Sequence, residues 1–405
     1  MRNHAGTVAK VVHLTSVHPP FDVRIFHKEC RSIARAGYDI TLIAPHVRDE
    51  IIEGVRLKAI ASPSGRLDRM VRGAWRVCRE ALRQDADLFH FHDPELMPVG
   101  LLLRLKGKIV VYDAHEDVLA DVAFKHYIPK TLQRPLARLI NLFENLSSRC
   151  FSARVAATEP IGRRFVFRTG RTVVISNYPS SENESFAPAK PWAERSTSVA
   201  YVGVLSADRC IHEIVRAMTL LPKHSPVTLN LAGTFSPARL REQITGRDGW
   251  EHVRLHGKIG RPQIAQLLSD VRAGLVVVRP EPNYMECAPN KLFEYMQAGI
   301  PVIASDFPGF RRIVNETRCG LLVNPLDPRE IADSIAYLVN HPEEAEQMGL
   351  RGREAVKARL NWASEERKLL DLYDWLFESR GPVRAQGRRA RGSESGRGTE
   401  FKAGT

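Results

Sequence analysis

Two carboxylates, Glu286 and Glu294, stand eight positions apart in the run Glu286-Cys-Ala-Pro-Asn-Lys-Leu-Phe-Glu294. The run follows one strand-like apolar segment and leads through a short helix into another, Pro301–Ala304. A strand–loop–helix–strand unit gathers polar groups beyond the carboxyl ends of its strands, where open α/β sheets bind ligands. A carboxylate accepts two O–H bonds from a rigid diol, so it suits vicinal sugar hydroxyls. The free N–H groups where the helix opens, at Asn290 and Lys291, suit a diphosphate, and the Lys291 ammonium adds charge. Together these residues imply a nucleotide-sugar site.

The elements that must position them alternate regularly. Val8–Thr15, Asp39–Ala44, Val55–Ala61, Ala86–His92, Lys108–Asp113, Ala153–Thr158 and Thr172–Ser176 read as strands, with helical patterns between most of them. Residues 177–191 are rich in Pro, Ser and Glu without periodicity, the mark of a linker. The alternation then restarts at Val199–Leu205 and runs to the helix Pro328–Val339. Repeated β–α units with short loops mean parallel sheets covered on both faces. The expectation is therefore an α/β chain of two doubly wound, Rossmann-like domains facing across a cleft. Residues 1–190 form the first and 191–361 the second. A final helix over 362–379 packs back on the first domain, and 380–405 is a disordered basic tail.

Composition narrows the classes. The 405 residues are more than one domain's worth, and 43% apolar content supplies full cores. The longest apolar run, Ala273–Val278, is far too short to span a membrane, and no secretory signal is visible at the start. Six scattered cysteines without a C-x-x-C pair read as free thiols in a reducing cytoplasm. The net charge is +13, of which the tail's seven Lys/Arg against two Glu supply five, leaving +8. No G-x-G-x-x-G follows the first strand, which disfavours a dinucleotide oxidoreductase. His90 and His92 alternate on one strand end, but no further ligands stand at zinc-site spacing, so no metal is expected. Arg66, Arg69, Arg72, Arg76, Arg79 and Arg83 would line one side of a helix beside Trp75. Residues 119–171 add ten Lys/Arg against three acids, interleaved with aromatics that include Phe143. These surfaces suit anionic lipid headgroups better than nucleic acid, for which no binding motif is present.

Tyr201-Val-Gly-Val-Leu, Leu231-Ala-Gly, the Glu286/Glu294 unit and Gly320-Leu-Leu-Val-Asn-Pro follow one another as in retaining glycosyltransferases of family 4. Ser16-Val-His-Pro-Pro-Phe-Asp-Val-Arg-Ile-Phe-His-Lys-Glu29 and Val111-Tyr-Asp-Ala-His-Glu-Asp117 resemble the bacterial polysaccharide-building members of that family. The resemblance covers roughly residues 8–378 and implies the GT-B fold, with a UDP- or GDP-sugar as donor and no cofactor. By the same resemblance Glu294 holds the ribose, Glu286 the donor sugar, and Asn290, Lys291 and Arg209 the diphosphate. His115 lies beside the sugar. Family members commonly carry a second cation where this chain has Val204, a Gly where it has Cys210, and a Phe-Gly pair where it has Cys287-Ala288. On the acceptor side stand His92, with Asp93 and Glu95 as cleft wall, and Asp22 and Arg24, which either contact the acceptor or brace the loop as a salt bridge. The implied reaction builds surface glycan at the inner face of the membrane, on a glycan or polyprenyl-linked glycan. An epimerase or phosphorylase of the same fold, or a non-catalytic scaffold, are the alternatives.

Overall fold

A computed structural model describes residues 7–65, 68–115, 130–165, 170–180, 190–222, 226–286 and 289–379. The expected disordered tail, and Cys287 and Ala288 of the sugar loop, lie outside the described residues.

The first domain holds β1 (Lys10–Leu14), β2 (Asp39–Pro45), β3 (Glu50–Ile52), β4 (Val55–Ile60), β5 (Leu88–Phe91), β6 (Ile109–Ala114), β7 (Ala153–Ala156) and β8 (Arg171–Val174). They order as β3-β4-β2-β1-β5-β6-β7-β8, all parallel except the β3/β4 edge pair. The second holds β9 (Ser198–Val202), β10 (Thr228–Ala232), β11 (Val253–Gly257), β12 (Ala273–Val276), β13 (Val302–Ser305) and β14 (Gly320–Val323). Their order is β11-β10-β9-β12-β13-β14, again parallel. Central strands such as β5, β6, β7, β12 and β13 are buried at every residue, which explains why they are written as short unbroken runs rather than alternating ones. In each sheet the strand order reverses beside the first strand, between β1 and β5 and between β9 and β12. These are the crevices in which doubly wound sheets bind ligands.

The GT-B arrangement of two such domains is the fold. Sequence periodicity misses the short antiparallel β3 and leaves the helices Pro308–Thr317 and Pro342–Ala358 unassigned. The closing helix Trp362–Glu378 buries Leu369, Leu372, Tyr373 and Leu376 in the first domain's core against Val11, Ile33 and Leu88. Trp362 Nε1 donates to Ser32 Oγ at 2.9 Å and Tyr38 donates to Asp374 at 3.0 Å, pinning both ends of the contact. The arginine stripe is less regular than a simple helix predicts. The wide π-type turns of Asp68–Gly73 precede the α-helix Ala74–Ala81, and Arg76 turns back to Asp68 at 3.5 Å. Arg66 lies outside the described residues.

Candidate active site

The helix Asn290–Gln297 is held by a specific fit. A Cβ at Gly274 on β12 would lie 2.2 Å from the Tyr295 ring, so glycine there seats the ring. The Tyr295 hydroxyl accepts the Val202 N–H at 2.9 Å, and Leu292, Phe293 and Met296 are buried beside it. Glu294 is thereby fixed at the β9/β12 crevice, where its carboxylate accepts from Arg261 Nη1 at 2.8 Å. Asn290 opens the helix and is exposed. Lys291 passes over Gly203, whose positive φ of 137° and missing side chain leave room: a Cβ there would stand 3.0 Å from the ammonium. The ammonium rests 3.7 Å from the centroid of the Tyr201 ring.

Arg209 ends the short turn Ala207–Arg209, and its guanidinium lies 4.4 Å over the Tyr284 ring. The next residue, Cys210, adopts φ 51°, a left-handed conformation for which glycine is the usual choice. Glu286 stands exposed just past the helical turn Pro282–Met285. Burial first, and then the charge of Arg209, pull the Lys291 ammonium down to about 7. The negative charge of a bound diphosphate outweighs both effects, so binding takes up a proton. Sugar-diphosphate affinity is therefore expected to fall as pH rises from 7 to 9, approaching about tenfold per unit. Titration calorimetry in buffers of different ionisation enthalpy counts that proton, and Lys291→Met should abolish both the slope and the uptake.

The first domain contributes a buried polar cluster at the β1/β5 crevice. Register places His13 of β1 beside His90 of β5, and β5 in turn lies beside β6. His115, just past β6, contacts Asp113 Oδ2 through Nε2 at 2.8 Å. Arg24 grips Asp113 through Nη2, 3.0 and 3.1 Å from its two oxygens, and its Nε lies 3.0 Å from Glu29. His92 bridges His115 at 3.1 Å and His13 at 2.9 Å. The Tyr373 hydroxyl, from the closing helix, sits 2.9 Å from His13 and 2.8 Å from His90.

Three expectations for the acceptor side are corrected by this geometry. Arg24 is buried and faces inward, with Ile175 O as a further partner at 2.7 Å, so it contacts no acceptor. It forms a buried salt bridge, but to Asp113 and Glu29 rather than to Asp22. Asp22 instead accepts from the Arg24 and Ile25 backbone N–H groups at 2.8 and 2.9 Å, capping the turn that points Arg24 into the core. His92 and Asp93 lie beneath the cleft floor, not in its wall: both are buried, and Asp93 ties down Thr15 and Ser16.

Electrostatics in the cluster are one-sided. Burial opposes the charge of Asp113, but Arg24 and His115 outweigh it and hold the carboxyl ionised, well below the usual range. Burial, and then the Asp113 charge, push Glu29 well above its ordinary value. Burial and mutual repulsion keep His13 and His90 neutral, and burial lowers His92 to about 4. Glu29, His90, His92 and Asp113 could each turn one ligand atom toward a common point. However, Arg24 already lies at 3.0 Å from both carboxylates, and both His92 nitrogens are engaged. The cluster meets its charge with an arginine, which is a poor setting for a divalent ion. Sequence reading gave no role to Glu29, which only closes the Ser16–Glu29 motif, and did not single out His13, Tyr373 or Arg261. Only the alternation of Asp113 and His115 hinted at the network.

Residues 23–178 match the family described as Glycosyltransferase Family 4, and residues 182–355 match Glycosyl transferases group 1. A phosphatidyl-myo-inositol mannosyltransferase of Mycobacterium leprae is 29% identical over 165 residues, 39% of this chain and 40% of that protein. The chain thus spans about two fifths of that relative's length. A D-inositol 3-phosphate glycosyltransferase of Nocardia farcinica is 26% identical over 326 residues, 74% of this chain and 70% of the relative. Among solved structures, a sucrose-phosphate synthase from Thermosynechococcus elongatus superposes with a TM-score of 0.71 at 19% identity. That match covers 92% of this chain and 100% of the other, and it supports the fold.

Proposed function

We propose that this chain, whose residues 23–178 and 182–355 match the Glycosyltransferase Family 4 and Glycosyl transferases group 1 families, moves a hexose-type sugar from a UDP- or GDP-sugar to a glycan or polyprenyl-linked glycan, retaining the anomeric configuration. The observation that carries this reading is the placement of two cations, Arg209 and Lys291, each on an aromatic face, around the same crevice as the Glu294 carboxylate. Negative charge accumulates on the departing diphosphate as the glycosidic bond breaks. Cations fixed in advance stabilise that build-up more than they stabilise the bound donor.

In this reading Glu294 exchanges Arg261 for the ribose hydroxyls, and Glu286 takes sugar hydroxyls. His115 supports the sugar from the first domain, and Arg209 and Lys291 supply the charge without a metal. The departing phosphate oxygen takes the proton of the incoming hydroxyl on the face it leaves, which retains configuration. Lys291 over Gly203 substitutes for the cation that Val204 does not supply; Val204 is 53% exposed. Closing of the two domains excludes water as a competing acceptor.

We place the enzyme at the inner surface of the membrane, where surface glycans are assembled. The helix Lys130–Cys150 leaves Leu132, Leu139, Leu142, Phe143 and Leu146 exposed, with Arg134 and Arg138 alongside. Met70, Val71 and Trp75, with Arg79 stacked 5.1 Å over the indole, form a second such patch. Apolar side chains bordered by arginines fit an anionic lipid interface. No described helix is long and apolar enough to cross a membrane. The lipid named in the mannosyltransferase relative accords with this placement.

The test is incubation with labelled UDP- and GDP-hexoses and vesicles carrying polyprenyl-linked glycans. One donor should pass its sugar into the lipid phase in the donor's own anomeric form. Donor turnover without acceptor points to an epimerase, a requirement for inorganic phosphate to a phosphorylase, and binding without turnover to a scaffold; each contradicts the reading.

A further inference from the structure

The hydrogen-bond directions in the first-domain cluster follow from one charge. Asp113 is the ionised member, so each nitrogen against it must present a hydrogen: His115 Nε2 at 2.8 Å and His92 Nδ1 at 3.3 Å. Two N–H groups sharing one carboxylate oxygen account for the 3.1 Å approach of those nitrogens. With its hydrogen on Nδ1, neutral His92 offers Nε2 as an acceptor, and His13 Nδ1 donates to it across 2.9 Å. His13 Nε2 then accepts from the Tyr373 hydroxyl at 2.9 Å, whose oxygen accepts from His90 Nδ1 at 2.8 Å. The chain must end on a bare His90 Nε2. That atom is buried and has no hydrogen-bond partner among the described residues. The reverse polarity would aim a His92 lone pair at the Asp113 carboxylate 3.3 Å away, whereas the N–H it creates on His90 would face Asp113 Oδ2 only across 3.9 Å, beyond hydrogen-bond reach, so the loss at His92 decides.

We propose that Asp113, gripped by Arg24, is a positioning residue that fixes His115 as its Nε2–H tautomer and so turns Nδ1 toward the sugar as a hydrogen-bond acceptor, with the chain through His92, His13 and Tyr373 holding that polarity. A ring nitrogen whose partner dictates the tautomer makes the other nitrogen's role unambiguous. The closing helix thereby acts on the catalytic crevice: its Tyr373 supplies the hydroxyl on which the histidine chain turns. The catalytic consequence rests on the reading of His115 as a sugar-side residue, whereas the tautomer itself does not.

The test uses the full chain labelled with 15N-histidine. Two-bond 1H–15N spectra at pH 8, where exposed histidines are neutral, report each tautomer. His115→Gln and His92→Gln assign the signals. His115 is expected as Nε2–H. In Asp113→Asn the amide can present its NH2 to the ring, while Glu29, beside Arg24, can ionise to replace the lost charge. There the His115 signal should shift toward Nδ1–H, and kcat should fall about a hundredfold. The donor KM should rise by a smaller factor than kcat falls, since the Nδ1 contact to the sugar is made in the bound donor as well as in the transition state. Tyr373→Phe, which removes only the hydroxyl, should mix the His13 and His90 tautomers and lower kcat by more than it raises the donor KM.

A wild-type His115 found as Nδ1–H overturns the proposal, as does a folded Asp113→Asn with unchanged kcat. Should Asp113→Asn not fold, the wild-type tautomer and Tyr373→Phe decide. A wild-type protein that neither binds nor turns over any sugar nucleotide refutes the transferase reading and leaves the tautomer measurement standing.

Discussion

Replacing Arg209 with methionine is expected to lower turnover about a hundred- to a thousandfold, the range seen when a preorganised charge-stabilising group is removed from a transition state. The guanidinium is held over Tyr284 and is one of two cations at the crevice, so its loss leaves the departing diphosphate to Lys291 alone. Methionine keeps much of the stem's contact with the ring, and Arg209 is itself one-quarter exposed, so stability should hardly change. Lys291 should respond in the opposite sense: Arg209 lowers its pKa, so in the variant the ammonium regains charge and donor binding weakens less than turnover falls. Steady-state kinetics with the preferred donor, beside urea unfolding of both proteins, separates the two. A variant with intact kcat would remove Arg209 from the mechanism.

Acid lability is the second large effect. His13, His90 and His92 are held neutral in the folded protein, His92 down to about 4, whereas their ordinary value is 6.5. Their folded pKa values are depressed, so the unfolded chain binds more protons as pH falls below 6.5, and stability is lost on acidification. Glu29 works the other way, because it is protonated when folded at pH values where a free glutamate, at 4.5, is ionised. Asp113 enters only below the ordinary aspartate range. Three histidines against one glutamate leave unfolding with a net uptake of protons, so stability falls as pH drops below the ordinary histidine value. Urea titrations at pH 7, 6 and 5 should show this slope, and His13→Gln should reduce it by about one proton's worth. A flat profile would mean that the cluster is charged or solvated.

The two halves of the site differ in how plainly the chain declares them. Asn290, Lys291 and Glu294 sit on one helix between two strands, so their spacing alone places them together. The first-domain cluster is assembled by parallel register. His13 meets His90 through a sheet pairing 77 residues apart, and Tyr373 reaches His13 across 360. No local pattern carries that information. Arg24 shows the same limit from the other side. A polar residue after the first strand of a doubly wound sheet ordinarily faces the crevice, but Asp22 caps a π-type turn, Ile25–Cys30, that rotates Arg24 inward. The β3 edge strand escaped because three residues are too few for an alternation to register.

The account stands or falls on the donor site, and thermal stabilisation of the purified chain by a panel of nucleotides and nucleotide sugars, with Glu294→Ala beside it, tests that site most directly. A ligand at a hundred times its Kd stabilises the folded state by about 2.7 kcal/mol, a readily measured rise in Tm. The prediction is a selective rise with one nucleoside-diphosphate sugar that disappears in Glu294→Ala. No shift with any of them, or a shift that survives the substitution, would contradict the assignment of the Glu294 crevice as the nucleotide-sugar site.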